Sequence, residues 1–450
     1  MSDALVVPNE NSKLSSKLSS KLSLTDVMVY GLLYFGPIAP IAVFGAIHNI
    51  SNGLTALTYT LAAIAMLFSA ISYSEMAKHI PLSGSVYSYV TKGTNSTFGF
   101  MAGWSILLDY LLLPALLAIL GAAALQPLFP EVDKTVWLVI FVAVPMIVNL
   151  FGITVNVNVG KVLLIIQLVV LSIFVVFSVG LIADGAVSKA QLLAPFYNPA
   201  QFSVSAVFGA VPIAALSFIG FDAVSTLNEE AKGGGKTVST ATMLLLVIVT
   251  VLFVGQVYLV SVFVPLGSTF EGADADVAFY TVSTQIVGAW FLPVVTLTNA
   301  LIALMANALM SQATTSKVIY CMARDKKLPS MLTKLNRNET PTTALYLVAA
   351  LSLMIAILAK DHIETIVTMV TFGALCAYVM LNISVVFFFK GKTDKSFFKH
   401  VVSPVIGSAV LCYALFSGNV NAQFVGIAWL VIGCVVAWIL KGKQSLEMPV

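Results

Sequence analysis

The chain has 450 residues, 59% hydrophobic and 10% charged, with a mean hydropathy of +0.98 and a formal net charge of +3. Soluble domains carry about a quarter charged residues, so a chain this apolar cannot stay in water and reads as an integral membrane protein. The small net charge gives no footing for nucleic acid. Four scattered cysteines (Cys321, Cys376, Cys412, Cys434) and four scattered histidines (His48, His79, His362, His400) imply no metal site, disulfide framework or cofactor.

Residues 1–25 read as a cytoplasmic tail. The stretch "NSKLSSKLSSKLSLTD" is polar and lysine-rich, without the apolar core of a cleavable signal. A membrane span takes about 20 apolar residues. Such runs follow at 27–49, 54–74, 98–125, 135–152, 160–182, 205–227, 240–263, 285–312, 342–359, 364–389, 402–417 and 424–440. One all-α membrane domain of about twelve helices is therefore expected over 26–440, with a second cytoplasmic tail at 441–450. With both ends inside, alternation puts all but Lys134, Lys189 and Lys360 of the 23 Lys and Arg on the cytoplasmic side, where basic loops are retained. Moving one span scrambles that partition. No gap between the runs is long enough for a nucleotide-binding domain, which argues against an ATP-driven pump.

Two of the runs carry helix breakers at mid-depth. Span 1 reads "YGLLYFGPIAPIAVFG", where Pro37 and Pro40 each remove a backbone donor and Gly36 eases a bend. Span 6 reads "VPIAALSFIGFDAVS", with Pro212 early and Gly220 in the middle. Bare backbone at this depth is tolerated only where protein buries it or a wet cavity faces it. Interruptions five spans apart fit an inverted repeat, 27–182 and 205–389, with 402–440 appended; plain proline kinks are the alternative. Half-helix N-termini suit a carboxylate, and half-helix C-termini suit an ammonium.

Allocating the acids leaves Asp109, in "GWSILLDYLLLP", and Asp222, in "SFIGFDAVST", well inside spans with no deep basic residue to pair them. A charge there costs several kcal/mol, so each is a functional candidate, although a protonated or hydrogen-bonded structural acid is the rival reading. Asp26 reads as a helix-start residue. The "GGGKT" at 233–237 fails as a phosphate loop, because that motif needs glycine at 230 and Glu230 stands there. Its glycines read instead as a flexible loop leaving span 6.

Three stretches, "SFIGFDAVSTLNEEAKGGGKTV", "GFMAGWSILLDYLLLP" and "SKVIYCMARDKKLP", resemble the amino acid–polyamine–organocation transporter superfamily over about residues 20–440. Within it, the first two look most like the branch of bacterial putrescine importers and related amino acid permeases. The resemblance implies a LeuT-like 5+5 fold with helices 1 and 6 broken, in the bacterial inner membrane. It implies import of a small amine, an amino acid or a polyamine such as putrescine, driven by protons or by exchange. It suggests a pocket from Gly36, Pro37, Ile38 and Ala39, from Phe218, Ile219, Gly220, Phe221 and Asp222, and from spans 3, 8 and 10. Phe221 would be a lid, with Tyr110 and Tyr378 near the site. Glu229 and Glu230, with Glu75 and Tyr87 of the family-like "EMAKHIPLSGSVY", would form a cytoplasmic gate.

The sequence departs from the family in two places. The putrescine importers' acid in helix 1 has no counterpart in "GPIAPIAVFG", and Gln167 stands where some proton-coupled members carry a helix 5 lysine. Lys161 lies nearer the cytoplasmic end and reads as an anchor. Asp222 is then the leading proton carrier, with Asp109 as a second amine contact or proton site. Burial disfavours the charged form of such an acid, and an arriving ammonium restores it. The expected partners are a small amine, protons and lipid, for a monomer or weak homodimer. An exchanger, a channel and an embedded enzyme are the rivals, the last lacking converging nucleophiles or metal ligands.

Overall fold

The computed structural model describes residues 19–126, 128–272, 274–417 and 420–446. Of the two expected tails, residues 1–18 and 447–450 lie outside the described residues. The chain runs α1 (Leu24–Phe35), α2 (Phe44–Ile50), α3 (Thr55–His79), α4 (Ser85–Gly93), α5 (Ser96–Leu125), α6 (Lys134–Leu150), α7 (Ile153–Ala183), α8 (Lys189–Leu193) and α9 (Val204–Leu216). It continues through α10 (Gly235–Ser261), α11 (Asp274–Val287), α12 (Phe291–Leu297), α13 (Leu304–Arg324), α14 (Thr342–Leu358), α15 (Ile363–Phe388), α16 (Ser403–Ser417) and α17 (Val420–Leu446). Among the described residues, eight helical segments are long and apolar enough to cross a membrane, and four shorter apolar helices accompany them.

The outer surface shows what solvent the fold is made for. Val251 (67% exposed), Leu358 (75%) and Phe424 (69%) point away from the protein, and a water-soluble surface does not carry so many large apolar groups. The polar atoms are turned inward, where α3, α5, α13 and α15 bury Ser69, Asp109, Thr315 and Asn382. Helix α5 is the central post, packed by α4, α6, α13, α14, α15 and α17.

Local chemistry explains where several elements begin. Ser23 and Asp26 form a reciprocal capping box at the start of α1, and Asp26 also pairs with Lys161 of α7 at 2.6 Å. Lys161 therefore ties α7 to α1 as well as sitting near one face. The expected run 285–312 is divided: α11 ends at Val287, Gly288 takes φ +120°, and a new helix runs from Phe291 to Arg324 through a π-turn at Thr298–Ala303. Gly288 makes the division, since that φ is one other residues rarely adopt. The last helix is docked by a reciprocal pair. Trp104 Nε1 donates to the Trp429 carbonyl and Trp429 Nε1 to the Trp104 carbonyl, both at 2.8 Å, with the rings stacked at 4.6 Å.

Candidate functional site

Two helix interruptions meet at the middle of the bundle. Helix α1 stops at Phe35 because Gly36 turns to φ +73° and Pro37 offers no N–H; a 3-10 turn at Ala39–Ala42 leads into α2. The freed Pro37 carbonyl accepts from Gln256 Nε2 of α10 at 3.0 Å, and the same nitrogen also reaches the Leu252 carbonyl. Helix α9 stops at Leu216; residues 217–222 run as turns, and a 3-10 turn covers Ala223–Leu227. At Gly220, φ is +146° and a Cβ would lie 3.0 Å from Tyr34 Cδ1 and 3.4 Å from Phe35 Cδ1. The second interruption is thus seated against the end of α1, and only glycine fits the contact.

Asp222 follows directly and is fully buried. Tyr110 of α5 donates its hydroxyl to Oδ2, and Tyr378 of α15 donates to Oδ1 at 2.7 Å. The Ser85 hydroxyl at the start of α4 reaches the Asp222 carbonyl at 3.4 Å. Phe221 packs on Tyr73 and Tyr378, with ring centroids 5.3 and 5.2 Å apart. Asp109 is equally buried, but among the described residues neither of its oxygens has a partner. Its backbone is pressed by α15 at Gly373, where a Cβ would fall 2.9 Å from Asp109 N. The Tyr34 hydroxyl is also buried without a hydrogen-bond partner among the described residues, the Tyr73 hydroxyl lies beside Ser85, and both rings lie within electrostatic reach of the two acids. Among the described residues no Lys, Arg or His bonds to either carboxylate.

Five of the residues singled out from sequence therefore converge: Asp109, Tyr110, Phe221, Asp222 and Tyr378, with Gly220 supplying the approach. The others lie around them. Phe218 packs instead with Tyr59 and Phe253. Ile219 is half-buried and Ile38 buried, Ala39 is half-buried, and Gly36 faces Asn307 of α13. Sequence reasoning missed Tyr34, Tyr73, Ser85 and Gln256. For Tyr34 a signal existed, since it stands two residues before the Gly36 break. A cavity of about 360 Å³ lies elsewhere, between α9, α15 and α16. Its lining, which includes Ile213, Leu216, Phe372, Leu375 and Ala414, holds no ionisable group.

At the face where α1 begins, a second group closes the bundle. Glu229 receives Arg324 at 2.8 and 3.1 Å, and its N–H donates to the Ser83 hydroxyl at 3.0 Å. Glu230 pairs with Lys317 of α13, both almost fully buried, and the ammonium stands over the Tyr30 ring at 5.7 Å. Tyr87 donates to Asp325 at 2.8 Å; burial and that carboxylate push its hydroxyl well above the usual tyrosine range. Glu75 has other partners: Lys78 at 3.0 Å, Lys399 at 3.3 Å and His400 at 3.4 Å.

A short strap crosses the same face. Lys21 and Leu22 N–H both donate to the Glu230 carbonyl, and Lys232 N–H donates back to Leu22. Ser19 and Lys21 hold Glu339, chiefly through the Ser19 hydroxyl, which keeps that carboxyl below the usual range. The glycine cluster beyond it is tighter than a flexible loop. Gly233 and Gly234 take φ +87° and +55°, and a Cβ on Gly235 would meet the Lys78 Cα at 3.2 Å. Glycine is needed there because the turn lies directly on the end of α3. Among the described residues no three His, Cys, Asp or Glu side chains are grouped to hold a metal.

Comparison with known proteins places the chain among transporters. A family model described as amino acid permease matches residues 27–438. The chain is 29% identical, over 95% of both sequences, to a low-affinity putrescine importer of Escherichia coli. It is 26% identical to a branched-chain amino acid permease of Bacillus subtilis, over 87% of this chain and 86% of that one. It is 23% identical to cationic amino acid transporter 4 of Mus musculus, over 84% of this chain and 61% of that one. The family and these relatives are transporters, not enzymes.

Proposed function

This chain belongs to the amino acid permease family, and we propose that it imports a small amine, an amino acid or a polyamine such as putrescine, across the bacterial inner membrane. Transport is secondary, proton-coupled and proceeds by alternating access. The observation that carries the reading is the meeting of two helix breaks at two buried carboxylates with no bonded basic residue among the described residues. A pocket with that charge attracts an ammonium, and the aromatic rings of Phe221, Tyr73 and Tyr378 suit its alkyl chain and its charge.

In this reading the four shorter apolar helices also cross, giving twelve spans with both ends cytoplasmic. Helices up to α7 form one half of an inverted repeat, those from α9 to α15 the other, and α16 and α17 are appended. The breaks at Gly36–Ala39 and Phe218–Asp222 line the substrate position with Asp109, Tyr110 and Tyr378. Asp222 and Asp109 are the groups of proton coupling. The cluster of Glu229, Glu230 and Tyr87, with Glu75 behind it, is the cytoplasmic gate. Its ion pairs and strap, together with the full burial of Asp222, favour a form closed to that side.

The test is uptake into proteoliposomes with a panel of amino acids and polyamines, with and without an inward proton gradient. A proton-coupled importer saturates, shows counterflow and concentrates one class of amine when the gradient is applied. Gradient-independent flux that requires solute on both sides would make it an exchanger, and non-saturating flux without counterflow would make it a channel.

A further inference from the structure

Two histidines flank Phe389 at the face where α1 begins, and their partners fix them in opposite protonation states. Phe389 caps the end of α15 and is fully buried. The His400 ring lies flat on it, with centroids 3.6 Å apart and planes 5° off parallel, and the His79 ring meets its edge at 5.0 Å. His79 ends α3; its Nδ1 lies 2.9 Å from the Glu75 carbonyl and its Nε2 3.2 Å from Asp394 Oδ2. Both partners only accept, so the two bonds form together only with a proton on each ring nitrogen. His400 is the reverse. Its Nδ1 accepts the Ser396 N–H at 2.9 Å and so carries no proton, while its Nε2 donates to Glu75 Oε2 at 3.4 Å. The charged side chains around this buried ring are Glu75, Lys78 and His79 from α3, and Asp394 and Lys399 from the loop joining α15 to α16, with Lys392 over the Phe388 ring. Among the described residues, α15 and α16 add no ion pair to it. Burial holds His400 below the usual imidazole range, and Glu75 offsets part of that.

We propose that this loop is a cytoplasmic acid brake on transport: neutral His400 latches the end of α15 to α3, and a proton on its Nδ1 releases the latch and slows uptake. The proposal rests on the reading above that this face is cytoplasmic and that import is proton-coupled. The proton comes from cytoplasmic water to Nδ1, where it meets the Ser396 N–H, so one of the two donors must turn away. It returns to the same water when the pH recovers, and none crosses the membrane here. A charged His400 would also set one carboxylate, Glu75, against a third cation besides Lys78 and Lys399. The latch matters to the site because both of its helices reach Asp222. Tyr378 of α15 donates to that carboxylate, and Tyr73 of α3 packs edge-on against Tyr378 at 5.4 Å. Because the latched form keeps His400 below its usual value, the latch is complete above the ordinary pKa of 6.5 and is lost as pH falls through the lowered one. Proton-coupled import acidifies the compartment it fills, and a latch that acid opens on that side limits the process.

The experiment uses the full chain in proteoliposomes at equal pH on both sides, so that no gradient drives the flux. Counterflow of radiolabelled putrescine, or of leucine where putrescine is not carried, reports transport. Hydrogen-exchange protection at residues 390–400, taken relative to the intrinsic rate at each pH, reports the latch. One proton shifts a latch by at most about tenfold per pH unit, so both readouts should fall at least about fivefold between pH 7.5 and pH 5.5. His400→Asn puts an amide oxygen near the place of Nδ1, which keeps an acceptor for Ser396 and takes no proton; both readouts should then stay within about twofold over the same range. Ser396→Pro removes the N–H and should give the acid values already at pH 7.5. An acid loss of protection or of counterflow that persists in His400→Asn overturns the proposal, as does full protection of the wild-type chain at pH 5.5. A latch that opens with acid while counterflow holds steady overturns the brake. If His400→Asn fails to fold, Ser396→Pro decides: wild-type protection and counterflow at pH 7.5 overturn the proposal, and their loss there supports it. Absence of counterflow with every amine tried overturns the import reading, and the protection profile then still upholds or overturns the latch by itself.

Discussion

The buried pair of Glu230 and Lys317 makes a quantitative prediction. Their side chains are 5% and 6% exposed, and Lys317 has Glu230 as its hydrogen-bond partner and the Tyr30 ring beneath it. Replacing Lys317 with Met leaves the Glu230 carboxylate desolvated and alone, which costs about 3–5 kcal/mol. A change of 1 kcal/mol moves the unfolding midpoint of a 150–250-residue protein by roughly 2–4 °C, and by about half that in a chain of this length. Lys317→Met should therefore lower the midpoint in detergent by roughly 5 °C. Replacing both partners, as Glu230→Leu with Lys317→Met, removes the uncompensated charge and should return the midpoint to within about 2 °C of wild type. Thermal unfolding followed by fluorescence-detected size exclusion measures all three variants. A double variant no more stable than Lys317→Met would refute the reasoning, because the cost would then not lie in the widowed charge.

Other positions give further expectations. Gly220→Ala places a methyl 3.0 Å from Tyr34 at a φ that L side chains rarely adopt, so uptake should fall at least about tenfold while membrane expression persists. Trp104→Phe removes one of the two reciprocal bonds to α17 while the Trp429 carbonyl keeps its intrahelical donor; the cost of about 0.5–1.5 kcal/mol should appear as a lower melting midpoint. The strap should respond to acid. Its grip on Glu339 holds that carboxyl below its usual value, so the contact is complete above the ordinary pKa of 4.5 and is lost as pH falls through the lowered one. Hydrogen-exchange protection factors at residues 19–22, taken relative to the intrinsic rate at each pH, should fall over that acid range and stay flat above it, and Glu339→Gln should abolish the pH step.

What the sequence made legible were the features that violate local rules. Pro37 and Gly220 announce interruptions because a missing donor or a missing Cβ cannot be hidden in an apolar helix. Asp109 and Asp222 stand out because an acid has no ordinary place there. The partners of those residues were not legible. Nothing in "SKVIYCMARDKKLP" says that Lys317 reaches Glu230, 87 positions earlier; read locally it is one more basic residue near a span end. Tyr34 and Tyr73 look like core aromatics until the fold turns their hydroxyls toward the acids. The glycines at 233–235 show the opposite failure. Three in a row suggest slack, but Gly235 is pressed against the end of α3, and Gly233 and Gly234 take positive φ.

The Gln256 amide on the Pro37 carbonyl has a mechanical meaning. Among the described residues the Gln256 amide is the donor this carbonyl finds, so the bond acts as a tether that resists being exchanged while the break is closed off from water. The same nitrogen is anchored to α10 through Leu252, one turn earlier. The kink in the first span is therefore a hinge pinned to a neighbouring lever. If α2 swings about residues 36–38, either α10 follows it or the pin must be pulled.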